Sequence, residues 1–155
     1  MHDTTLLQLI EDDIAPMQEL LDLLHKEAVA LHGREMTLLE QILARKQSLI
    51  ILLEQHGQRR SQLLTGLGLS ADRAGVQAVA AQSQHGETML QRLDMLSQLM
   101  DTCQQINETN GRIIQVQQHV TNNQIRILMG GDSPSLYDSR GGTSLLAKPR
   151  ALSQV

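Results

Sequence analysis

The first segment of the chain repeats apolar side chains at alternating steps of three and four residues. This spacing is a heptad repeat, which places the repeated side chains along one stripe of an α-helix. The stripe consists of Leu7, Ile10, Ile14, Met17, Leu21, Leu24, Ala28 and Leu31. Pro16 lies inside the pattern and removes one backbone donor. Because the repeat continues on both sides of Pro16, we predict one helix that bends there without breaking.

A second helix is predicted after Gly33. Either Gly57 ends it or residues 59–64 extend it, and Gly66 and Gly68 stop it at the latest, because glycines favour helix ends. Arg45 and Lys46 interrupt its apolar stripe, and we assign both to the solvent side. The stripe consists of Leu38, Leu39, Ile42, Leu43, Leu49, Ile50, Leu52 and Leu53. A short Ala-rich segment over 70–81 is predicted to form a few helical turns that depend on docking, since short helices are marginal alone.

The longest helix is predicted from about Glu87 to Met129. Its stripe consists of Leu96, Leu99, Cys103, Ile106, Asn110, Ile113, Gln117, Val120, Gln124 and Ile127. The rear half alternates Ile or Val with the amides of Asn110, Gln117 and Gln124, and this allows two compatible interpretations. The amides fix the register of a coiled coil, or they line an incompletely covered groove that receives a partner's amphipathic helix.

Residues 130–155 have a different composition, rich in Gly, Ser and Pro, which cannot bury enough surface to offset the entropy of ordering. Apolar side chains are nevertheless spaced along this tail: Leu136, Tyr137, Leu145, Leu146, Leu152 and Val155. We therefore predict a helical bundle domain over 1–129 and a flexible partner-binding tail over 130–155. The fold class is all-α: an elongated antiparallel bundle or coiled coil of three long helices, plus a short helix and the tail.

The amino-acid composition argues against several classes of function. The chain has no Trp, no Phe and one Tyr, whereas ligand pockets are usually lined by some aromatic surface. The net charge of −4 provides no broad basic surface for nucleic acid. The most apolar run, 49–53, is far shorter than the ~20 residues that span a bilayer. A single cysteine suits a reducing compartment. These features predict a non-enzymatic cytoplasmic protein.

Each group of residues that could form a catalytic, metal-binding or nucleic-acid-binding site has a simpler structural explanation. The six histidines form no metal-binding motif, and Cys103 lies on an apolar stripe, so we expect a buried, inert thiol. We interpret Asp12 and Asp13 as solvated charges, not an acid–base pair. The doublet of Arg59 and Arg60 is too small for a nucleic-acid footprint. We predict no catalytic residue, no metal site and no cofactor.

Three groups of residues, in this order and spacing, carry a resemblance to a known family. The second helix contains Leu38-Leu39-Glu40, followed by Ala44-Arg45-Lys46-Gln47-Ser48-Leu49. The third long helix contains Cys103, Asn107 and Asn110-Gly111, and the tail contains Leu136-Tyr137-Asp138 and Gly141-Gly142. Together they resemble the FlgN-type flagellar export chaperones over nearly the whole chain.

The resemblance implies a function and its partners. Such chaperones bind the C-terminal helical segments of hook-associated proteins, which join hook to filament, prevent premature assembly, and deliver the subunits to the flagellar type III export apparatus. The resemblance also implies docking on the cytoplasmic domain of the export gate, with Tyr137 where the tail tyrosine implicated in that contact would fall. No nucleotide or metal is implied.

We expect the partner-binding site to combine the rear of the last helix with the tail, while the first two helices supply a rigid clamp. The predicted site residues are Ile113, Val120, Ile127, Leu136, Tyr137, Leu145 and Leu146. The alternative from another functional class is a self-assembling structural coiled coil or adaptor without a client, whose heptads serve homo-oligomerisation.

Overall fold

The computed structural model describes residues 2–128 and gives them four α-helices. They are α1 (His2–Gly33), α2 (Met36–Gly66), α3 (Arg73–Ala81) and α4 (Gly86–Leu128). The three long helices and the short one are confirmed. Helix α1 continues through Pro16 without a break, and it ends where Arg34 adopts a left-handed backbone conformation, with φ of 53°.

Helix α1 lies between the other two long helices and contacts both of them, whereas α2 and α4 approach each other only sparsely. Consecutive long helices run in opposite directions, so α1 and α4 are parallel to each other. The parallel register is constant, because α4 side chains meet α1 carbonyls that lie 86 residues earlier at three successive heptads. The elongated all-α bundle predicted from the sequence is therefore confirmed.

The predicted heptad frame of α1 is wrong at every second position. The buried residues of α1 are Leu6, Ile10, Asp13, Met17, Leu20, Leu24, Glu27, Ala30 and Leu31. The other members of the predicted stripe are only partly buried: Leu7, Ile14, Leu21 and Ala28. Two core positions are occupied by charged residues, Asp13 and Glu27. Because the next residue along the chain is apolar in both cases, the hydrophobic pattern predicts a stripe that is shifted by one residue at these positions.

Helix α4 has the same one-residue error. Its buried side chains are Met89, Leu93, Leu96, Met100, Cys103, Asn107 and Asn110. Leu96, Cys103 and Asn110 confirm three positions of the predicted stripe, whereas Leu99 and Ile106 pack only at the margin of the core. The core position between Cys103 and Asn110 is occupied by a second asparagine, Asn107. Asparagine is usually found at the surface, so the hydrophobic pattern does not identify this position as part of the core.

Local contacts define the start of α3 and the turn from α3 into α4. The Asp72 side chain caps α3 by accepting a hydrogen bond from the Gly75 amide at 3.2 Å, a common arrangement at helix starts. The Ser70 hydroxyl donates to Asp72 at 2.6 Å, and these hydrogen bonds hold the pKa of the Asp72 carboxyl below its usual value. Any side chain at position 86 would overlap the Ala80 carbonyl, so the turn into α4 requires Gly86.

Candidate partner-binding surface

A buried polar layer joins all three long helices near the middle of α4. The Lys46 ammonium donates to both carboxylate oxygens of Glu27, at 3.1 and 3.0 Å, and to Asn107 Oδ1 at 3.0 Å. Asn110 Nδ2 donates to Glu27 Oε1 and to the Leu24 carbonyl, both at 2.9 Å. The prediction that Lys46 faces solvent is wrong, because its partners lie on two other helices and cannot be seen in the local sequence.

A second buried ion cluster ties α2 to the first half of α1. Asp13 is 1% exposed, and its carboxylate contacts His56 Nδ1 at 2.6 Å. Its other oxygen accepts a hydrogen bond from the Arg60 guanidinium, which is also buried. Our interpretation of Asp13 as a solvated charge is therefore wrong, and Arg60 of the predicted doublet is buried beside it. Both residues are structural, and each compensates the buried charge of the other.

Polar side chains also fix the register of α4 on α1. The Asn110 and Gln117 amides donate to the carbonyls of Leu24 and Leu31, at 2.9 and 2.8 Å. One heptad earlier, the Cys103 thiol lies 3.8 Å from the Met17 carbonyl. Polar groups at core positions specify register at some cost in stability, so the register interpretation applies to both amides. Gln124 is exposed and does not take part.

The prediction of a buried thiol is confirmed. Cys103 is fully buried and unpaired, and burial raises its pKa to about 11. A thiolate is the reactive form of cysteine, so at neutral pH the folded protein offers no reactive thiol at this position. The residue acts as a small apolar side chain of the core.

The two parallel helices end at different levels, and this creates an open end of the bundle. The offset of 86 places Gly33, the last residue of α1, level with His119. Helix α4 continues to Leu128, so residues 120–128 extend beyond α1 by roughly 13 Å. Nothing from α1 covers this last part of α4.

Large exposed apolar side chains concentrate at the open end. Seven of them lie on the end of α1, the start of α2 and the rear of α4, and they are between 38% and 75% exposed: Val29, Met36, Leu38, Leu43, Val116, Val120 and Ile127. We call these seven residues the open-end surface. Apolar surface that stays exposed at one place of a soluble protein commonly marks an interaction site.

The structure describes three of the predicted site residues. Val120 and Ile127 belong to the open-end surface, and the partly buried Ile113 precedes them on the same side of α4 at seven-residue spacing. Leu136, Tyr137, Leu145 and Leu146 lie outside the described residues. The sequence prediction missed the contributions of α1 and α2. Val29 and Met36 lie outside every predicted stripe. An apolar residue that does not belong to a stripe has no place in the predicted core, and this feature of the sequence could have identified both residues as surface candidates.

Residues 2–128 contain neither a metal-binding cluster nor a membrane-spanning helix. Within that range, no three His, Cys, Asp or Glu side chains come together in a way that would hold a metal ion. No helix in the same range is long and apolar enough to cross a membrane. A small pocket between the end of α2, α3 and α4 is lined by Arg60 and Arg73, but their guanidinium groups are paired with Asp13 and Asp94.

Comparison with known proteins identifies the family. The family model described as FlgN protein matches residues 1–144. The chain belongs to the FlgN family. The solved structures include a similar crystal structure from Pseudomonas aeruginosa, described as a flagella synthesis protein FlgN. It shares 41% sequence identity with this FlgN-family chain and superposes with a TM-score of 0.68, over 71% of this chain and 86% of that one. Among curated proteins, no match is found.

Proposed function

We propose that this FlgN-family protein is a cytoplasmic flagellar export chaperone. It binds the C-terminal helical segments of hook-associated proteins, prevents their premature assembly and delivers them to the flagellar type III export apparatus. The observation that carries the proposal is the open-end surface, where exposed aliphatic side chains of three helices lie at the end of the bundle from which α4 projects. Membership of the FlgN family and the flagella synthesis protein of similar structure support the same role.

The chemistry of the surface fits a helical client. Its side chains are aliphatic, with Leu, Ile, Val and Met, and an amphipathic helix buries its apolar face in such a surface by helix-in-groove docking. Segments that pack in a filament expose the same kind of apolar stripe before assembly, so covering the stripe prevents self-association. Binding of this kind makes and breaks no covalent bond, so the proposed function is non-enzymatic.

Calorimetric titration with the C-terminal segment of a hook-associated protein tests the proposal. We expect the full chain to bind with micromolar or tighter Kd. A triple variant, Val116→Ser with Val120→Ser and Ile127→Ser, removes apolar area from exposed positions and should weaken binding at least ~10-fold, or ~1.4 kcal/mol. Its Tm should remain close to that of the original chain, because these side chains lie outside the core cluster.

The opposite outcome is also defined. If the full chain fails to bind the segment and light scattering shows concentration-dependent growth into large assemblies, the self-assembling coiled coil is the better description. A chaperone with a free client site should instead be a small species of defined mass that forms a complex of fixed stoichiometry.

We propose further that the tail supplies the contact with the cytoplasmic domain of the export gate, through Tyr137. An isolated aromatic side chain contributes a large contact area for little lost rotamer entropy. In the full chain, Tyr137→Ala should weaken binding to the purified gate domain at least ~10-fold, while Tyr137→Phe keeps most of it. Equal binding by Tyr137→Ala and the original chain would rule out this role.

A further inference from the structure

Helix α1 has a flank that faces away from α2. Glu19 lies one residue before the core residue Leu20, and its carboxylate accepts hydrogen bonds from Arg45 of α2 at 2.9 and 2.8 Å. Leu21 lies one residue after Leu20, so it projects on the opposite flank, away from α2. Positions at seven-residue spacing share this flank. They are all apolar and only partly buried: Leu7, Ile14, Leu21 and Ala28.

Helix α4 has a matching flank. Cys103 and Asn110 face α1, and Asn107, four residues after Cys103, accepts a hydrogen bond from Lys46 of α2. Ile106, three residues after Cys103, lies on the other side of the line that joins Cys103 to Asn110, so it faces away from α2. Apolar residues recur on this flank every seven positions and are partly buried or exposed: Leu99, Ile106, Ile113, Val120 and Ile127.

The two flanks lie side by side, because α1 and α4 keep a constant offset of 86 residues. The offset places Leu21 within one residue of the level of Ile106. It places Ala28 within one residue of the level of Ile113. The two parallel helices therefore form one apolar surface with two walls. Each wall repeats every seven residues, which is the spacing at which helices pack in coiled coils.

An ion pair closes the inner end of this surface. Arg92 lies seven residues before Leu99, and its Nε is 3.5 Å from Oε1 of Glu11 on α1. We call the members of the two flanks outward of this pair, from Ile14 on α1 and from Leu99 on α4, the back seam. Met95 lies level with the ion pair and therefore outside the back seam.

The outer end of the back seam is open. The seam continues into Val120 and Ile127, which belong to the open-end surface, and it extends roughly 42 Å from Leu99 to Ile127. Helix α2 lies on the other flank, and α3 meets α4 at Asp94, inward of the seam, so neither helix covers it. An apolar surface of this shape accommodates one amphipathic helix.

The chain's own tail does not suit the back seam. Within residues 130–155, no stretch longer than six residues lacks Gly or Pro, and these are the residues least favourable in helix interiors. A continuous helix that fills the seam therefore comes from a partner.

The rims of the outer half of the seam carry basic residues. Each of the α4 members Ile113, Val120 and Ile127 is preceded by a basic residue, which projects on the outer side, away from α1. On α1, a histidine follows Leu21 and Ala28 by four residues each. All five rim residues are exposed: Arg112, His119, Arg126, His25 and His32.

Acidic residues are fewer near this half of the seam. Asp22, one residue after Leu21, lies at its inner limit, and Glu108 lies beyond Asn107 on the α2 side. The turn after α1 adds one charge of each sign, Arg34 and Glu35. An apolar surface between basic rims is complementary to a helix with an apolar stripe and acidic flanks.

We propose that the back seam seats a helix of the client, and that the helix it selects is amphipathic, with an aliphatic stripe at heptad spacing and Asp or Glu beside the stripe. The inference rests on the proposed function and specifies its binding site and the chemistry of the partner. The client helix runs from the open end inward as far as the Glu11–Arg92 pair. Client residues past the end of α1 cross to the α2 part of the open-end surface, at Met36, Leu38 and Leu43.

Placing a charge inside the seam tests the site. Thr102 is exposed and lies between Leu99 and Ile106, inward of the open-end surface. Thr102→Glu in the full chain should reduce affinity for the C-terminal segment of a hook-associated protein at least ~10-fold, because the client would bury the new charge without a partner.

Thr65→Glu on α2 is the matched control. Both threonines are exposed, and each hydroxyl donates to the carbonyl four residues earlier at 2.9 Å. The control should leave affinity within about twofold of the original chain. The Tm values of both variants show whether they fold.

Reversing a rim charge tests the chemistry of the partner. Arg112→Glu should weaken binding about tenfold at low salt, with a smaller effect at high salt. The matched control is Lys26→Glu, because Lys26 is also exposed and is level with Arg112 by the offset of 86. Lys26 lies two residues after Leu24, on the side of α1 opposite the core. A designed heptad peptide with glutamate flanks should compete with the client segment, and the same peptide with lysine flanks should not.

The outcomes separate this inference from the proposed function. If the unmodified chain does not bind the hook-associated segment, the proposed function fails. If it binds, and a folded Thr102→Glu variant binds equally well, the back seam is not the site and only the present inference is overturned. Loss of a dimer on Thr102→Glu substitution, with client binding unchanged, would assign the seam to a second copy and would also overturn it. Equal effects of Arg112→Glu and Lys26→Glu would overturn the acidic-flank requirement.

Discussion

Replacing Glu27 with alanine is expected to lower the free energy of unfolding by about 3–5 kcal/mol, because it leaves a buried cation without its counter-charge. Lys46 is 8% exposed and both oxygens of Glu27 accept its hydrogen bonds. Asn110 also loses an acceptor, so the layer that joins three helices is disrupted as a unit. Urea unfolding followed by circular dichroism measures the loss, with the slope m as a check on two-state behaviour.

Two companion variants define what this result means. The double variant Glu27→Leu with Lys46→Met removes both charges and should recover most of the lost stability, since a buried ion pair is often replaceable by apolar residues. Glu19→Ala breaks the ion pair with Arg45, whose partners are both about half exposed, and should have little effect on stability because exposed pairs are screened by solvent. A loss below about 1 kcal/mol for Glu27→Ala would contradict the buried polar layer.

Leu20→Ala and Leu21→Ala should differ sharply although the residues are neighbours. Leu20 is fully buried in the core, so its truncation leaves a cavity and should cost about 2–5 kcal/mol. Leu21 is only partly buried and packs at the margin of the core, so its truncation should cost below about 2 kcal/mol. The same urea experiment on both variants tests the heptad frame of α1. A larger loss for Leu21→Ala would restore the frame predicted from the sequence.

The contrast between these leucines shows what the sequence could predict and what it could not. Helix number, helix lengths and bundle class follow from periodicity and from glycine positions, and these are local properties of the chain. The frame is different, because at two heptad positions the core residue is a carboxylate, Asp13 or Glu27. Their polar partners lie at least nineteen residues away. Without those contacts, a charged residue is indistinguishable from a solvated one.

The candidate site was predictable only in part, for a similar physical reason. Val120 and Ile127 could be identified because they continue an apolar stripe along one helix. Met36 and Leu43 join the same surface only because α2 is antiparallel to α4 and begins where α1 ends. That arrangement is a property of helix packing and not of local sequence. The predicted contribution of the tail, including Tyr137, stays a prediction.

The polar layers have a consequence for the open-end surface. Hydrogen bonds from Asn110 and Gln117 hold α4 in one register on α1, and this register determines how far α4 projects beyond Gly33. Lys46 also joins α2 to α4 through its hydrogen bond to Asn107. A chaperone built this way presents a preorganised apolar site, so the ordering cost of binding falls mainly on the client.

Site-specific photo-crosslinking tests the central claim most directly. A p-benzoylphenylalanine residue is introduced at Leu43, at Val120 or at Met95, and the client is the C-terminal segment of a hook-associated protein. Val120 and Met95 are equally exposed on the same helix, but Met95 lies toward its other end and serves as the control. We predict crosslinks to the client from Leu43 and Val120 and none above background from Met95. Crosslinks from Met95 alone would contradict the assignment of the open end as the client-binding surface.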